Sequence, residues 1–371
     1  MSADFASRLE RARRRMTDLG VDVLLLSVGA DLPYLTGYEA MPLERLTMLV
    51  LPRDGGATLV VPRLEAPRVV ERSDAFAIRP WAETEDPVGI VAALAGTPAV
   101  AAIGDRTWAR FLVELSAAMP GVSFSTASSV TGPMRAVKDP HEIDMLRQAA
   151  RAADVVANEL LTGGIDLVGR SEAHVAAQIE GHMRAAGHAR VNFVIVAAGE
   201  NAASPHHEPG DRVIEPGEVV LCDLGGSVVD EDGIGYCSDM TRCIWLGTPP
   251  PEAAEIYAVV QRANEASTAA VAVDVTCESI DAAARGAITD AGYGEYFVHR
   301  TGHGIGIEEH EEPYLVAGNL QRLVAGNAFS IEPGVYLPGR FGFRLEDIVV
   351  LTEAGPDVLT GTDRALAVLE P

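Results

Sequence analysis

Two residue classes are scarce in this 371-residue chain, and each scarcity closes off a class of function. Cysteine occurs four times, as Cys222, Cys237, Cys243 and Cys277, with no CxxC pair and no regular framework. That spacing excludes a disulfide scaffold and predicts reduced thiols in a reducing compartment. Cys222, beside Asp223, reads as a small apolar side chain of a strand rather than a ligand. Basic residues number 29 against 53 acidic ones, a net charge of -24. A surface of that sign repels nucleic acid and anionic membrane, so neither is expected as a partner. Most of the acidity is read as solubility charge, and Arg11, Arg13, Arg14 and Arg15 as the solvated face of the first helix. No apolar run approaches the roughly 20 residues that cross a bilayer, and the opening MSADFASRLERARRR leads into no apolar stretch. A cytoplasmic protein is expected. Nucleotide and nucleophile signatures are missing too. GHGIG has neither GxxxxGK nor a complete GxGxxG, and Ser204 in ASPHH has no GxSxG elbow.

What is present is a globular composition, 48% hydrophobic and 22% charged, on a chain long enough for two domains. Phe5, Leu9, Ala12, Met16 and Leu19 follow helical spacing, Gly20 suits a left-handed cap, and VDVLLLSV reads as a buried strand. Strands over residues 46–51, 57–61 and 99–103 and a helix over 108–118 continue an α/β alternation. After TGPMRAVKDP a new helix is predicted, with Asp139 as N-cap, Pro140 at the first position and Glu142 completing a capping box. Ile143, Leu146, Ala150, Ala153 and Ala157 form its apolar face. Gly163 and Gly164 end it, and Ser171 opens a second helix running towards Gly187. Helices over about 252–271 and 276–291 follow. Helices then strands, twice, suggest a duplicated α+β half without a letter-by-letter repeat.

Five residues in this second half carry the chemistry: Asp223, Asp239, His303, Glu332 and Glu346. Four carboxylates and a neutral imidazole bring four negative charges, which two divalent cations would balance and which would otherwise repel strongly. VVLCDLGG places Asp223 at the end of an apolar strand before turning glycines, and SDMTRCIWLG starts a strand with Asp239 across a hairpin. RTGHGIGIEEHE packs glycines around His303, SIEPGVY puts Glu332 at a strand end, and FRLEDIVVL puts Glu346 inside an apolar strand. A buried glutamate there is costly without a cation or hydrogen bonds. Carboxylate-rich ligation suits hard ions, with Mn²⁺ the first choice and Co²⁺ or Zn²⁺ able to take the same ligands.

DLGG, SDMTR, GHGIGIEEHE, IEPGVY and RLEDIVV, in that order, resemble metallopeptidase family M24, the methionine aminopeptidase, aminopeptidase P and prolidase group with its pita-bread fold. The resemblance covers about residues 135–371, and the region before it is similar to the creatinase-type N-terminal domain of the prolidase and aminopeptidase P branch. It implies an α/β domain over 1–134 and an α+β pita-bread domain over 135–371. It further implies Asp223 on one metal, His303 and Glu332 on the other, and Asp239 and Glu346 bridging. His206 matches the catalytic histidine, with His207 the less favoured of the pair. His310 matches a second histidine at the substrate or intermediate, His299 a substrate-side histidine and Arg344 a supporting arginine. Glu332 is read as general base, with His206 and His310 stabilising the tetrahedral intermediate and protonating the departing nitrogen. The expected activity is that of an Xaa-Pro dipeptidase acting on short peptides, with Xaa-Pro aminopeptidase or a broader dipeptidase as alternatives. A creatinase-like amidinohydrolase or a non-catalytic binding homologue is more distant. A homodimer is implied. One departure is GSVVDEDGIGYCS, longer than the family's usual hairpin between the aspartates.

Overall fold

A computed structural model describes residues 4–370. Residues 1–3 and 371, at the outer ends of the two expected domains, lie outside the described residues. Contacts divide the chain into two compact units, one running up to Arg135 with Asp230–Ile234 added, the other Ala136–Val229 with the chain from Gly235 onward.

The first unit is α/β. Helix α1 (Phe5–Leu19) buries Phe5, Leu9, Ala12 and Met16 on one face and ends at Gly20, whose φ of 68° is the left-handed cap that glycine supplies without strain. Strand β1 (Val23–Leu26), helix α2 (Asp31–Thr36), strands β2 (Met48–Pro52), β3 (Ala57–Pro62) and β4 (Phe76–Trp81), helix α3 (Pro87–Ala95), strand β5 (Val100–Ile103), helix α4 (Ala109–Ala118), strand β6 (Ser123–Thr126) and helix α5 (Ser128–Ala136) follow. The strands form one mixed sheet in the order β4-β3-β2-β1-β5-β6. β1 is buried at every position, as a central strand covered on both faces must be. Residues 230–234 join this unit, with Arg72 Nη2 2.7 Å from Asp232 Oδ1.

The second unit begins as its capping signals predict. Asp139 caps α6 (Pro140–Leu161) by accepting from the Glu142 amide at 2.9 Å, and the Glu142 carboxylate returns to the Asp139 amide at 3.0 Å. Such a cap is worth about 1 kcal/mol. Leu146, Ala150, Ala153 and Ala157 are buried, whereas Ile143 is only half-buried. Helix α7 (Glu172–Ala185), capped by Ser171, and strands β7 (Arg190–Ala198), β8 (Val219–Val229) and β9 (Gly235–Leu246) complete the first half. Helices α8 (Pro251–Ala270) and α9 (Cys277–Asp290) then lead to strands β10 (Gly302–Gly304), β11 (Glu311–Leu315), β12 (Ala328–Ile331), β13 (Gly334–Leu337), β14 (Phe341–Arg344), β15 (Asp347–Thr352), β16 (Gly355–Val358) and β17 (Ala367–Leu369). Helices precede strands twice, in an α+β unit. Its sheets are β17-β9-β8-β7 and β11-β10-β12-β15-β16, with β13-β14 a separate hairpin.

The two-residue period of the strands decides where the acids point. Val220, Cys222 and Leu224 of β8, with Met240 and Ile244 of β9, pack on α6 and α7. Val219 and Leu221 of β8, with Cys243 and Trp245 of β9, pack on the α8 side. Asp223, Asp239 and Thr241 share the parity of this second set. A one-residue slip of either strand would send its aspartate into the α6–α7 core.

Three local expectations change. Asp223 lies in the middle of β8, and the following glycines stay in the strand rather than turning it; a Cβ on Gly225 would strike the Phe193 ring of the neighbouring strand. Asp239 is likewise inside β9, not at its start. Glu346 sits with Leu345 in a break between β14 and β15, so the run FRLEDIVVL is two strands of different sheets rather than one. The long segment between the aspartates is mostly paired strand, from Gly225↔Asp239 to Val229↔Gly235.

Candidate active site

Four stretches of backbone converge on one cavity of about 470 Å³. The β8–β9 register sets Asp223 opposite Thr241 and Gly225 opposite Asp239, so the aspartates are diagonal neighbours on one face. His303 is the middle residue of β10, a short strand wedged between β11 and β12. Its flanking glycines make that possible: a Cβ on Gly302 would meet the Ser330 carbonyl, and one on Gly304 the Glu312 carbonyl. Glu332 follows the last residue of β12, and Glu346 projects from the β14–β15 break.

These five side chains come together in overlapping groups. Ligand atoms lie within 4.8 Å of one another in Asp223–Asp239–Glu346, in His303–Glu332–Glu346 and in Asp239–His303–His310. His303 Nδ1 donates to the Gly304 carbonyl at 3.1 Å, which leaves the Nε2 lone pair facing Glu332 Oε1 at 3.3 Å and Asp239 Oδ2 at 3.7 Å. A lone pair aimed at carboxylate oxygens is repulsive unless a proton or a cation lies between them. Asp223 Oδ1 is buried with no hydrogen-bond partner among the described residues, although Oδ2 is held by Arg344 Nη2 at 2.6 Å. Burial, and after it Glu346 and Asp223, pushes the Asp239 carboxyl well above its usual range. Burial, then Glu332 and Asp223, does the same to Glu346. Burial is also the largest cause lifting Glu332 to about 7 and lowering His303 to about 3. Hard oxygen donors, one oriented imidazole and an orphaned buried carboxylate oxygen fit divalent cations.

Arg344 is the counter-charge and the organiser. Its Nη2 holds Asp223, its Nε donates to Thr241 Oγ1 at 2.9 Å, and its Nη1 reaches the Tyr336 hydroxyl at 2.9 Å and the Pro205 carbonyl at 3.2 Å. Thr241 passes the order on by donating to Glu346 Oε2 at 2.8 Å. Tyr336 in turn donates to His299 Nε2 at 2.9 Å, because His299 Nδ1 is taken by the Arg300 carbonyl at 2.7 Å. His299 is lowered to about 4 by burial first and Arg344 second, so it faces the cavity as a neutral ring. Helix α9 fixes that segment. Asp281 accepts from the Thr301 amide and hydroxyl, and Arg285 donates to the Phe297 and His299 carbonyls.

The remaining predicted residues sit around the rim. His206 lines the cavity, as does His310, whose ring lies 3.9 Å from that of His303. His207 does not line it. Sequence reading overlooked the apolar wall of Phe193, Ile195 and Pro205, and Arg300, whose guanidinium stacks on Tyr314 and reaches His310 Nδ1 at 3.3 Å. It also overlooked Tyr336 and Thr241. Phe193 and Ile195 carry a period-two signal, but which face of β7 meets the cavity depends on pairing with β8.

Residues 144–353 match metallopeptidase family M24, and residues 8–137 match the creatinase/prolidase N-terminal domain. The chain is 44% identical to "Probable dipeptidase PepE" of Mycobacterium tuberculosis over 95% of its length and 93% of the relative's. It is 36% identical to the Xaa-Pro dipeptidase of Lactobacillus helveticus, covering 97% and 98% of the two chains. The crystal structure of recombinant prolidase from Thermococcus sibiricus superposes with a TM-score of 0.93 at 36% identity and covers both chains fully, 100% of each.

Proposed function

We propose, because the chain belongs to metallopeptidase family M24, that it is an Xaa-Pro dipeptidase dependent on two divalent cations. The observation that carries this reading is the convergence of Asp239, Glu332 and Glu346 on His303, with Asp223 grouped with Asp239 and Glu346 and its buried Oδ1 unpaired among the described residues. Asp223 is assigned to one cation, His303 and Glu332 to the other, and Asp239 and Glu346 to both. When bound, such a pair supplies Lewis acidity at the peptide carbonyl and lowers the pKa of a water towards roughly 7. Mn²⁺ is the proposed metal, on the hardness of the oxygen donors, with Co²⁺ or Zn²⁺ as substitutes.

The protein's own groups do the rest. Glu332 takes the proton from the attacking water, at the mouth of the acid cluster where its side chain is 15% exposed. His206 and His310, on the rim, donate towards the developing oxyanion and the departing nitrogen. An Xaa-Pro bond has no N–H to offer, so recognition falls to shape, and Phe193, Ile195 and Pro205 supply an apolar wall for the ring. His299 and Arg344 are assigned to the substrate side. Arg300 supports the dipeptidase form of the reading, since a guanidinium on the cavity wall suits a carboxylate, and a dipeptide carries one a single residue beyond the cut bond.

The relative named simply a dipeptidase favours a second reading, a broader dipeptidase. The catalytic domain is taken as 135–371 and the N-terminal domain as 1–134; a division into two compact units supports a two-domain reading, although Arg135 and Asp230–Ile234 group with the first unit. The four buried free cysteines support a cytoplasmic location. No helix among the described residues is long and apolar enough to cross a membrane. A homodimer rests on the family resemblance alone. The test is the product pattern under defined Mn²⁺. Ala-Pro and Leu-Pro should be cut faster than Ala-Ala, and Xaa-Pro-Yaa tripeptides should be poor substrates. Equal rates on Ala-Ala would replace the proline assignment by the broader one, and faster tripeptide cleavage would replace dipeptidase by aminopeptidase.

A further inference from the structure

Two histidines stand side by side in sequence, and the fold sends them in opposite directions. His206 lines the cavity, whereas His207 sets its Nε2 2.8 Å from Glu172 Oε2. Glu172 is the first residue of α7 and fully buried. Its remaining hydrogen bonds all come from the same stretch of chain. Oε1 accepts from the Ala198 amide at 2.8 Å and from Asn201 Nδ2 at 3.0 Å; Oε2 accepts from Asn201 Nδ2 at 3.2 Å and from the Gly210 amide at 3.3 Å.

The donors at 198, 201, 207 and 210 bracket His206 on both sides. The stretch has little order of its own, since one 3₁₀ turn at Gly199–Ala203 is followed by irregular chain up to β8. The helix start closes the bracket, with the Glu172 amide donating to the Arg212 carbonyl at 3.0 Å and the Ala173 amide to the Gly210 carbonyl at 2.9 Å. From the other side Arg344 Nη1 holds the Pro205 carbonyl. Burial alone would raise the Glu172 carboxyl, yet the hydrogen bonds from Asn201, Ala198, His207 and Gly210 outweigh it and hold the group below its usual range. A buried anion fully spent on one segment, at the point where that segment enters the cavity, is a device for fixing geometry.

We propose that Glu172, acting through His207 and Asn201, positions His206 for proton donation, which makes Glu172 and His207 positioning residues and His206 alone of the adjacent pair a catalytic one. This rests on the reading of His206 given above. His207 is only partly buried, so its variants are expected to fold even where Glu172→Gln does not.

The experiment uses the full-length protein loaded with Mn²⁺ and an Ala-Pro substrate, with metal content and melting temperature measured on every variant. His207→Phe, which keeps the ring but loses the donor, should lower kcat about 10- to 100-fold with KM and metal content nearly unchanged and Tm lowered by only a few degrees. His207→Gln should restore most of that loss, because its amide N–H still reaches Glu172. On a His206→Ala background His207→Phe should add no further loss. Wild-type kcat in His207→Phe beside an impaired His206→Ala would overturn the inference alone, as would the same fractional loss on the His206→Ala background. Full kcat in His206→Ala would overturn the reading of His206 and the inference with it.

Discussion

Glu346 and Asp347 are neighbours in sequence and both are buried, yet their electrical surroundings are opposite. Asp347 is saturated with opposite charge and donors: Arg242 Nη2 at 2.8 Å, Arg364 Nε at 2.6 Å and the Thr360 hydroxyl at 2.7 Å. Although burial opposes its charge most, Arg242 and Arg364 outweigh it, and its carboxyl lies below the usual range. Glu346 faces Asp223, Asp239 and Glu332, with the Thr241 hydroxyl and the shared Arg344 against them. The first arrangement is complete without a ligand. The second is balanced only by added protons or cations, and that imbalance separates a candidate site from a scaffold in this fold. The two are also joined, because Arg242 Nη1 donates to the Glu346 carbonyl and so ties the neutralised cluster to the backbone that carries the unbalanced one.

The largest test of this contrast swaps charge for shape at each position. Glu346→Gln should lower kcat/KM by about 10³-fold or more, since Lewis-acid stabilisation is worth several kcal/mol. The same change should raise the melting temperature of chelator-treated protein, because a repelled acid is gone. Asp347→Asn should do the reverse. It leaves Arg242, which is 1% exposed, without its counter-charge and should cost about 3–5 kcal/mol in denaturant unfolding. Activity per folded molecule should stay close to wild type. If Glu346→Gln destabilised the chelated protein as much as Asp347→Asn does, the two carboxylates would be alike and the contrast would fail.

How much of this the sequence shows follows the range of the interactions. The α6 capping box involves residues three apart, and the cap at Gly20 is set by one backbone angle, so both are legible. Residue identity and motif order likewise point to Asp223, Asp239, His303, Glu332 and Glu346. The break at Glu346 is not legible, because β14 pairs with β13 while β15 pairs with β12 and β16, and the apolar run across them looks continuous. The glycines after Asp223 mislead for the same reason. A turn and a close approach by Phe193 demand the same small residue, and only the β7–β8 pairing tells them apart. Glu172 gives no signal at all, since its partners lie 26 to 38 residues away.

A smaller effect tests the same contrast through pH. Glu332, ordinarily near 4.5, is pushed up to about 7 by burial above all, with Arg344 opposing and Asp223 adding; Asp239 and Glu346 are raised as well. An acid whose folded value exceeds its unfolded one contributes stability that is complete below the unfolded value, about 4.5 here, and is lost as pH rises through about 7. In excess chelator the melting temperature should therefore fall between about pH 5 and about pH 8. With saturating Mn²⁺ the fall should disappear, because cations bind the deprotonated carboxylates and stabilise the native state by mass action. Asp347, shifted the other way, contributes stability throughout that window. A chelated protein that grew more stable over the same range would show that the acids repel too weakly to matter.

The smallest expected effect concerns Arg344, the guanidinium that Asp223, Glu332 and Glu346 share. Arg344 reaches Asp223 with one nitrogen and Tyr336 with another, and the Tyr336 hydroxyl donates its hydrogen bond to His299 Nε2. If the guanidinium only balances charge, its orientation is immaterial and Tyr336→Phe should change nothing. If it must also aim Asp223 and steady His299, losing the hydroxyl leaves a buried N–H without its acceptor and His299 Nε2 without its donor. A loss of that kind costs about 1–2 kcal/mol, or roughly 5- to 30-fold in kcat/KM. The loss should fall on proline-containing substrates more than on the metal content, because His299 faces the cavity and the backbone positions of the five proposed ligands do not depend on the Tyr336 hydroxyl. Unchanged kinetics in Tyr336→Phe would reduce Arg344 to a counter-ion, and a loss of bound metal would move Tyr336 from the substrate side to the support of Asp223.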